Sequence, residues 1–202
     1  MPEAASKNFV DGREISGARL VSLLNRADEM KAGRPEVAGS SLTGKSIALI
    51  FEKPSTRTRI SFEVGIAELG GHGVILRSDE LQLSRGESIE DTARVMSRFV
   101  YGIVIRSGSD DHVSKLAEHA SVPVVNALTP LYHPCQALAD LLTLKERFGG
   151  LDGLKVAYVG DGNNVARSLA IAGSLTGVEV VVAAPEGYQL ESDAPARLTD
   201  DP

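Results

Sequence analysis

The feature that most constrains this chain is the alternation of short, uninterrupted apolar runs with segments of helical period. Ile47, Ala48, Leu49, Ile50 and Phe51 form one such run, and residues 102–105, 123–126, 155–159 and 179–183 read as further short strands. A strand that is apolar at successive positions is buried on both faces, which is the pattern of a parallel sheet covered by helices. Between the runs, apolar residues recur every three or four positions: Phe62, Ile66 and Leu69, then Ala93, Met96 and Phe99, then Val113, Leu116 and Ala120. Ile15, Ala18, Val21, Leu24 and Ala27 mark an earlier helix that ends near Gly33 and Pro35, and Val74, Ile75 and Leu76 a further short strand. Strand and helix alternate, so the expected fold is α/β, a parallel sheet flanked by helices.

With 202 residues and 43% hydrophobic content, the chain can bury a substantial core. No apolar run approaches the ~20 residues that span a bilayer, and the N-terminus lacks the basic and apolar regions of a signal peptide, so the expectation is a cytoplasmic protein with no membrane partner. The single cysteine, Cys135, leaves no internal disulfide framework and no multi-cysteine metal site. A net charge of −6 argues against a nucleic-acid partner and makes Lys53, Arg57 and Arg59 a local positive focus in an acidic chain.

That focus sits where the first run feeds a helix. Pro54 ends the strand, Ser55 is placed to cap the helix, and Gly70 and Gly71 stop it. The first turn would present free backbone N–H groups and a partial positive charge, with the hydroxyls of Ser55, Thr56 and Thr58 and the guanidinium of Arg57. This is an anion site, and phosphate suits it. Two lookalikes fail on context. The segment Gly39-Ser-Ser-Leu-Thr-Gly44-Lys45-Ser46 matches the P-loop pattern, but it opens a strand and not a helix. Gly160-Asp161-Gly162-Asn163-Asn164-Val165 carries two glycines of the dinucleotide fingerprint, has Val165 for the third, and lacks an acid at the end of the next strand.

Arg106 falls at the carboxyl end of the run at 102–105, on the sheet edge where open α/β folds bind ligands. The loop ending at Tyr132 leads into His133-Pro134-Cys135-Gln136, where Pro134 suits the first position of a helix reaching about Phe148. His133 could donate to a developing oxyanion, and Gln136 could offer its carbonyl to an amide NH2. No general base accompanies Cys135, which is assigned to packing.

Together, the Ser55-Thr56-Arg57-Thr58-Arg59 loop, Arg106, His133-Pro134-Cys135-Gln136 and Gly160-Asp161-Gly162-Asn163-Asn164 resemble the aspartate/ornithine carbamoyltransferase family. Lys53, Leu138-Ala139-Asp140 and the pair Asn163 and Asn164 look like its ornithine branch. Arg167, where that branch often has His, is slightly reminiscent of the aspartate branch, and its role is left open. The resemblance implies carbamoyl phosphate and L-ornithine as substrates, no cofactor and no metal. Ser55, Thr56, Arg57 and Thr58 would hold the phosphate, Thr58, Arg106 and His133 would reach the carbonyl oxygen, and Gln136 would hold the carbamoyl NH2. Asn164 would bind the amino acid. A homo-oligomer is also implied, a trimer or a multiple of trimers, with Gln82 entering a neighbouring subunit's site. The expected division is a carbamoyl-phosphate-binding domain over 1–148 and a partial ornithine-binding domain over 149–202, with 191–202 disordered. The family's later Ser-Met-Gly and His-Cys-Leu-Pro motifs do not occur in these residues. On this reading the chain is the first part of an arginine-metabolism enzyme, with anion binding but no citrulline formation expected of it alone. The alternatives are aspartate as the acceptor and a non-catalytic anion-binding or assembly module.

Overall fold

The computed structural model describes residues 7–34, 40–77, 81, 86–191, 193–195 and 197–199. Their elements are, in order, α1 (Gly17–Ala32), β1 (Ser46–Phe51), α2 (Thr56–Glu68), β2 (His72–Arg77), α3 (Ile89–Met96), β3 (Gly102–Arg106), α4 (Asp110–His119), β4 (Val124–Leu128), α5 (Pro134–Phe148), β5 (Lys155–Val159), α6 (Asn164–Thr176), β6 (Glu179–Ala183) and β7 (Arg197–Thr199). They fall into two compact units, one of residues 1–10 and 29–129, the other of residues 11–28 and 130–202.

The first unit is built on a parallel sheet in the order β2-β1-β3-β4. Its central strand β1 explains the unbroken apolar run. Ile47, Leu49 and Phe51 pack with Ile66 of α2 on one face, and Ala48 and Ile50 pack with Ala93 of α3 and Val113 and Leu116 of α4 on the other. Period-2 geometry sends alternate side chains to opposite faces, so both sets must be apolar. Leu49 and Ile50 are essentially inaccessible, and each such burial contributes about 1.5–3 kcal/mol. The P-loop lookalike is a turn: residues 41–44 lead directly into β1, and Lys45 Nζ donates to the Ser41 carbonyl at 3.0 Å. Helix starts follow the sequence where hydroxyls were available, with Ser88 accepting from the Asp91 N–H at 3.1 Å and Ser109 from that of His112 at 3.3 Å.

The second unit holds the parallel sheet β5-β6-β7. Its apolar cluster joins Leu20 and Leu24 of α1, Ala137 and Leu141 of α5, Leu169 and Ala170 of α6, and Val180 and Val182 of β6. α5 therefore counts with this unit by its contacts, although the glycines at 149 and 150 mark where the chain turns after it. Gly149 adopts φ 79°, the left-handed helix end that glycine tolerates best. One expectation is corrected. Within the acidic stretch 191–202, read from its composition as disordered, residues 197–199 form β7 and pair in parallel with β6. Composition missed this because the free edge of a strand offers main-chain N–H and C=O groups that any non-proline backbone can pair.

Candidate functional site

In the first unit, α2 begins at Thr56 with Ser55 in an extended conformation, φ −158° and ψ 118°. Ser55 stands at the cap position but makes no side-chain capping bond, and no acidic residue occupies the first turn. The positive end of the helix is thus not neutralised from within, which is the condition for holding an anion there. Ser55 and Thr56 open onto a cleft of about 860 Å³ that is also lined by Lys53, Arg59 and Arg77, with Glu52 and Glu63 as the acidic residues. Arg57 is not part of that lining. It faces a different cleft, of about 590 Å³, together with Met30, Arg34, Ile60, Val64 and Glu68. A helix advances about 100° per residue, so successive first-turn residues necessarily point to different sides.

Arg106 ends β3 beside Phe51 of β1. The β3–β4 register shifts between Ile105 and Arg106, an irregularity of the kind that re-aims a side chain at a sheet edge. Its Nη1 donates to Thr58 Oγ1 at 3.4 Å, so the structure brings these two candidates together. Its Nε is buried and has no hydrogen-bond partner among the described residues. A buried donor without an acceptor costs about 1–3 kcal/mol, a cost that a bound oxyanion would remove.

The turn after Arg106 is held from β1. Glu52 accepts from the Gly108 N–H at 3.1 Å and from the buried Ser107 hydroxyl, and its other oxygen lies 3.0 Å from His112 Nδ1. Sequence reading did not single out Glu52. The signal available was a carboxylate at the carboxyl end of a central strand, where a neighbouring loop can supply several donors.

In the second unit, His133 stands at the start of α5 without a side-chain capping bond, and its N–H donates to Ser168 Oγ at 2.8 Å. Gln136 Nε2 donates to Asp140 Oδ1 at 2.9 Å. That bond orients the amide so that Oε1 is left as its acceptor, the role the sequence suggested for it. Burial pushes the Cys135 thiol up to about 12, so at neutral pH it is a protonated packing group and not a nucleophile.

Asn163 caps α6, its side-chain oxygen accepting from Val165 and Ala166 at 2.9 and 3.4 Å, and Asn164 occupies the first helical position. A Cβ at Gly162 would lie 2.4 Å from the Leu190 nitrogen, so this glycine serves the close approach of residues 188–190. Arg167 is buried; its Nη1 donates to both Asp193 oxygens at 2.8 and 2.9 Å and its Nη2 to Glu191 Oε2 at 2.8 Å. Burial opposes its charge, but the hydrogen bond to and charge of Asp193, with the further negative groups nearby, leave the guanidinium pKa above its ordinary value. Gln82 lies outside the described residues.

Comparison with known proteins matches this arrangement to two adjacent family models. The aspartate/ornithine carbamoyltransferase carbamoyl-phosphate-binding domain matches residues 7–146, and the Asp/Orn-binding domain matches residues 152–200. The ornithine carbamoyltransferase of Acidothermus cellulolyticus is 53% identical over 195 residues, covering 96% of this chain and 62% of that protein. The crystal structure of ornithine carbamoyltransferase from Thermus thermophilus superposes with a TM-score of 0.91 at 47% identity, over 96% of this chain and 69% of the other. The catalytic subunit of M. jannaschii aspartate transcarbamoylase superposes with a TM-score of 0.81 at 32% identity, over 95% and 67%. The chain spans about 60% of the length of the curated relatives it matches. With family models covering both units, the chain belongs to the aspartate/ornithine carbamoyltransferase family.

Proposed function

We propose that this protein transfers the carbamoyl group of carbamoyl phosphate to the side-chain amine of L-ornithine, giving citrulline and phosphate. The neutral amine attacks the carbonyl carbon, a C–N bond forms, the C–O bond to phosphate breaks, and the amine loses a proton. Negative charge develops first on the carbonyl oxygen and then on the departing phosphate. Arg106, Thr58 and His133 act on the carbonyl oxygen, and one such donor is typically worth about 10²- to 10³-fold in rate. Ser55, Thr56, Thr58 and the N-terminus of α2 receive the phosphate, with the long Arg57 side chain swinging in from its own cleft. Gln136 Oε1 accepts from the carbamoyl NH2, Asn164 contacts the amino acid, and Gln82 of a neighbouring copy completes the site.

The observation that most supports this reading is the pairing of Arg106 Nη1 with Thr58 Oγ1 at 3.4 Å while Arg106 Nε is buried without a partner among the described residues. Ornithine is favoured over aspartate because the Acidothermus cellulolyticus relative named ornithine carbamoyltransferase is 53% identical, whereas the aspartate transcarbamoylase subunit is 32% identical. The same reading makes the protein a cytoplasmic homo-oligomer of arginine metabolism, a trimer or a multiple of trimers, divided between its two substrates near residue 148. Among the described residues no helix is long and apolar enough to cross a membrane.

The test is product formation by the protein expressed from its whole reading frame, supplied with carbamoyl phosphate and either L-ornithine or L-aspartate. Citrulline formation with little carbamoyl-aspartate is the expected result. Carbamoyl-aspartate as the main product, or neither product, would overturn the proposal.

A further inference from the structure

Two successive residues of α6 hold the two successive residues that open α5. Arg167 lies with its guanidinium carbon 6.0 Å from the Tyr132 ring centroid, and Ser168 Oγ accepts the His133 N–H at 2.8 Å. Ser168 is only 2% exposed, and Arg167 5%. Both terminal nitrogens of Arg167 already meet carboxylates: Nη1 donates to both oxygens of Asp193 and Nη2 to Glu191. A guanidinium that is 5% exposed and already faces two carboxylates is poorly placed to take the carboxylate of an amino-acid substrate as well. Its guanidinium carbon stands over the Tyr132 ring. The ring is held a second time by Arg13, 5.8 Å from the centroid and donating to the Tyr132 hydroxyl at 3.1 Å, with Arg13 itself bound to Asp11 at 2.7 Å.

We propose that Arg167 is a positioning residue for His133: with Tyr132 and Ser168 it fixes the backbone from which the His133 imidazole is presented, and it does not bind the substrate carboxylate. Glu191 and Asp193 neutralise it there, which ties the segment after β6 to the same point. The inference rests on the carbamoyl-transfer reading for what His133 does, but not for how it is held. Cation–aromatic contacts of this kind strengthen as they are desolvated, and Arg167 is desolvated. A lysine could supply the charge but neither the planar face nor the bidentate bond.

The test uses Arg167→Met, which keeps the length and removes the charge, and Tyr132→Leu, which removes the ring. Glu191→Gln/Asp193→Asn is the third variant; it releases Arg167 through acids whose side chains are 77% and 58% exposed, leaving the apolar cluster intact. The structural readout is the imidazole carbon–proton NMR cross-peak of His133, assigned by its loss in His133→Gln. The kinetic readout is carbamoyl transfer by the protein expressed from its whole reading frame. All three variants are expected to shift or broaden the His133 cross-peak and to lower kcat by about 10- to 100-fold, the usual consequence of misplacing a catalytic group by about 1 Å. The KM for the amino acid should change little, and Tyr132→Phe, which keeps the ring, should behave like the parent. A His133 cross-peak unmoved in Arg167→Met and in the double acid variant would overturn the proposal, as would an Arg167→Met variant that raises the amino-acid KM at unchanged kcat. If the cross-peak moves in the variants but carbamoyl phosphate perturbs nothing in the parent, the positioning role stands and the carbamoyl-transfer reading falls.

Discussion

Glu52→Ala removes the group that ties the turn after Arg106 to β1, and its cost can be worked from the contacts. The carboxylate, 16% exposed, accepts from a Ser107 hydroxyl that is fully buried and from the N–H of Gly108, which is exposed. Water can replace the acceptor at Gly108, so little is lost there. The Ser107 hydroxyl has no such access, and a hydrogen bond to a charged group is worth about 1.5–3 kcal/mol. His112, with 42% of its side chain exposed, adds almost nothing. The expected destabilisation is therefore about 2 kcal/mol, which for a chain of this size lowers the Tm by about 4–8 °C. Glu52→Gln keeps one acceptor oxygen and should lose about half as much. Thermal unfolding followed by circular dichroism reads both variants, and calorimetric titration with carbamoyl phosphate reads the effect on Arg106. A Glu52→Ala protein that melts within about 1 °C of the parent would refute the reasoning.

Gly162→Ala would place a Cβ 2.4 Å from the Leu190 nitrogen, so the chain at 188–190 must move; the expected loss is about 1–3 kcal/mol, measured by urea unfolding, and an unchanged midpoint would contradict it. Cys135 has its folded pKa raised from 9.0 to about 12 by burial, so the native state keeps a proton that the unfolded state loses. Its contribution to stability is then complete below pH 9 and is lost as the pH rises towards about 12; Cys135→Ala should flatten that part of the pH–stability profile.

How much of this was legible in the sequence depends on whether the signal was local. β1 and β3 are the buried strands that an apolar run covered on both faces needs, whereas β5, read as a strand from its short apolar segment, leaves alternate residues exposed; α5 followed from Pro134 at its start and a glycine at its end. The strand-to-helix switch at the start of α2 was equally visible, because Pro54, Ser55 and the hydroxyls and guanidiniums that follow all fall within residues 51–59. Side-chain direction was less legible. Arg57 and Ser55 are two residues apart, yet they line different clefts, and a one-dimensional spacing hides that rotation. β7 was missed because strand addition at a free edge depends on the backbone partner and not on composition. The partners of Arg167 were out of reach for a related reason: Tyr132 is 35 positions before it and Asp193 is 26 after, and only folding makes them neighbours.

The most direct test of the central claim is the affinity for carbamoyl phosphate, measured by isothermal titration calorimetry on the parent, on Arg106→Met and on Lys45→Ala. The claim is that the anion is held at the start of α2 and at the end of β3, so Arg106→Met should bind about 10- to 100-fold more weakly, the equivalent of one lost charge-assisted hydrogen bond. Lys45→Ala, altered in the P-loop lookalike whose lysine is turned back onto Ser41, should match the parent. Equal affinity in the parent and Arg106→Met, or a loss confined to Lys45→Ala, would contradict the account.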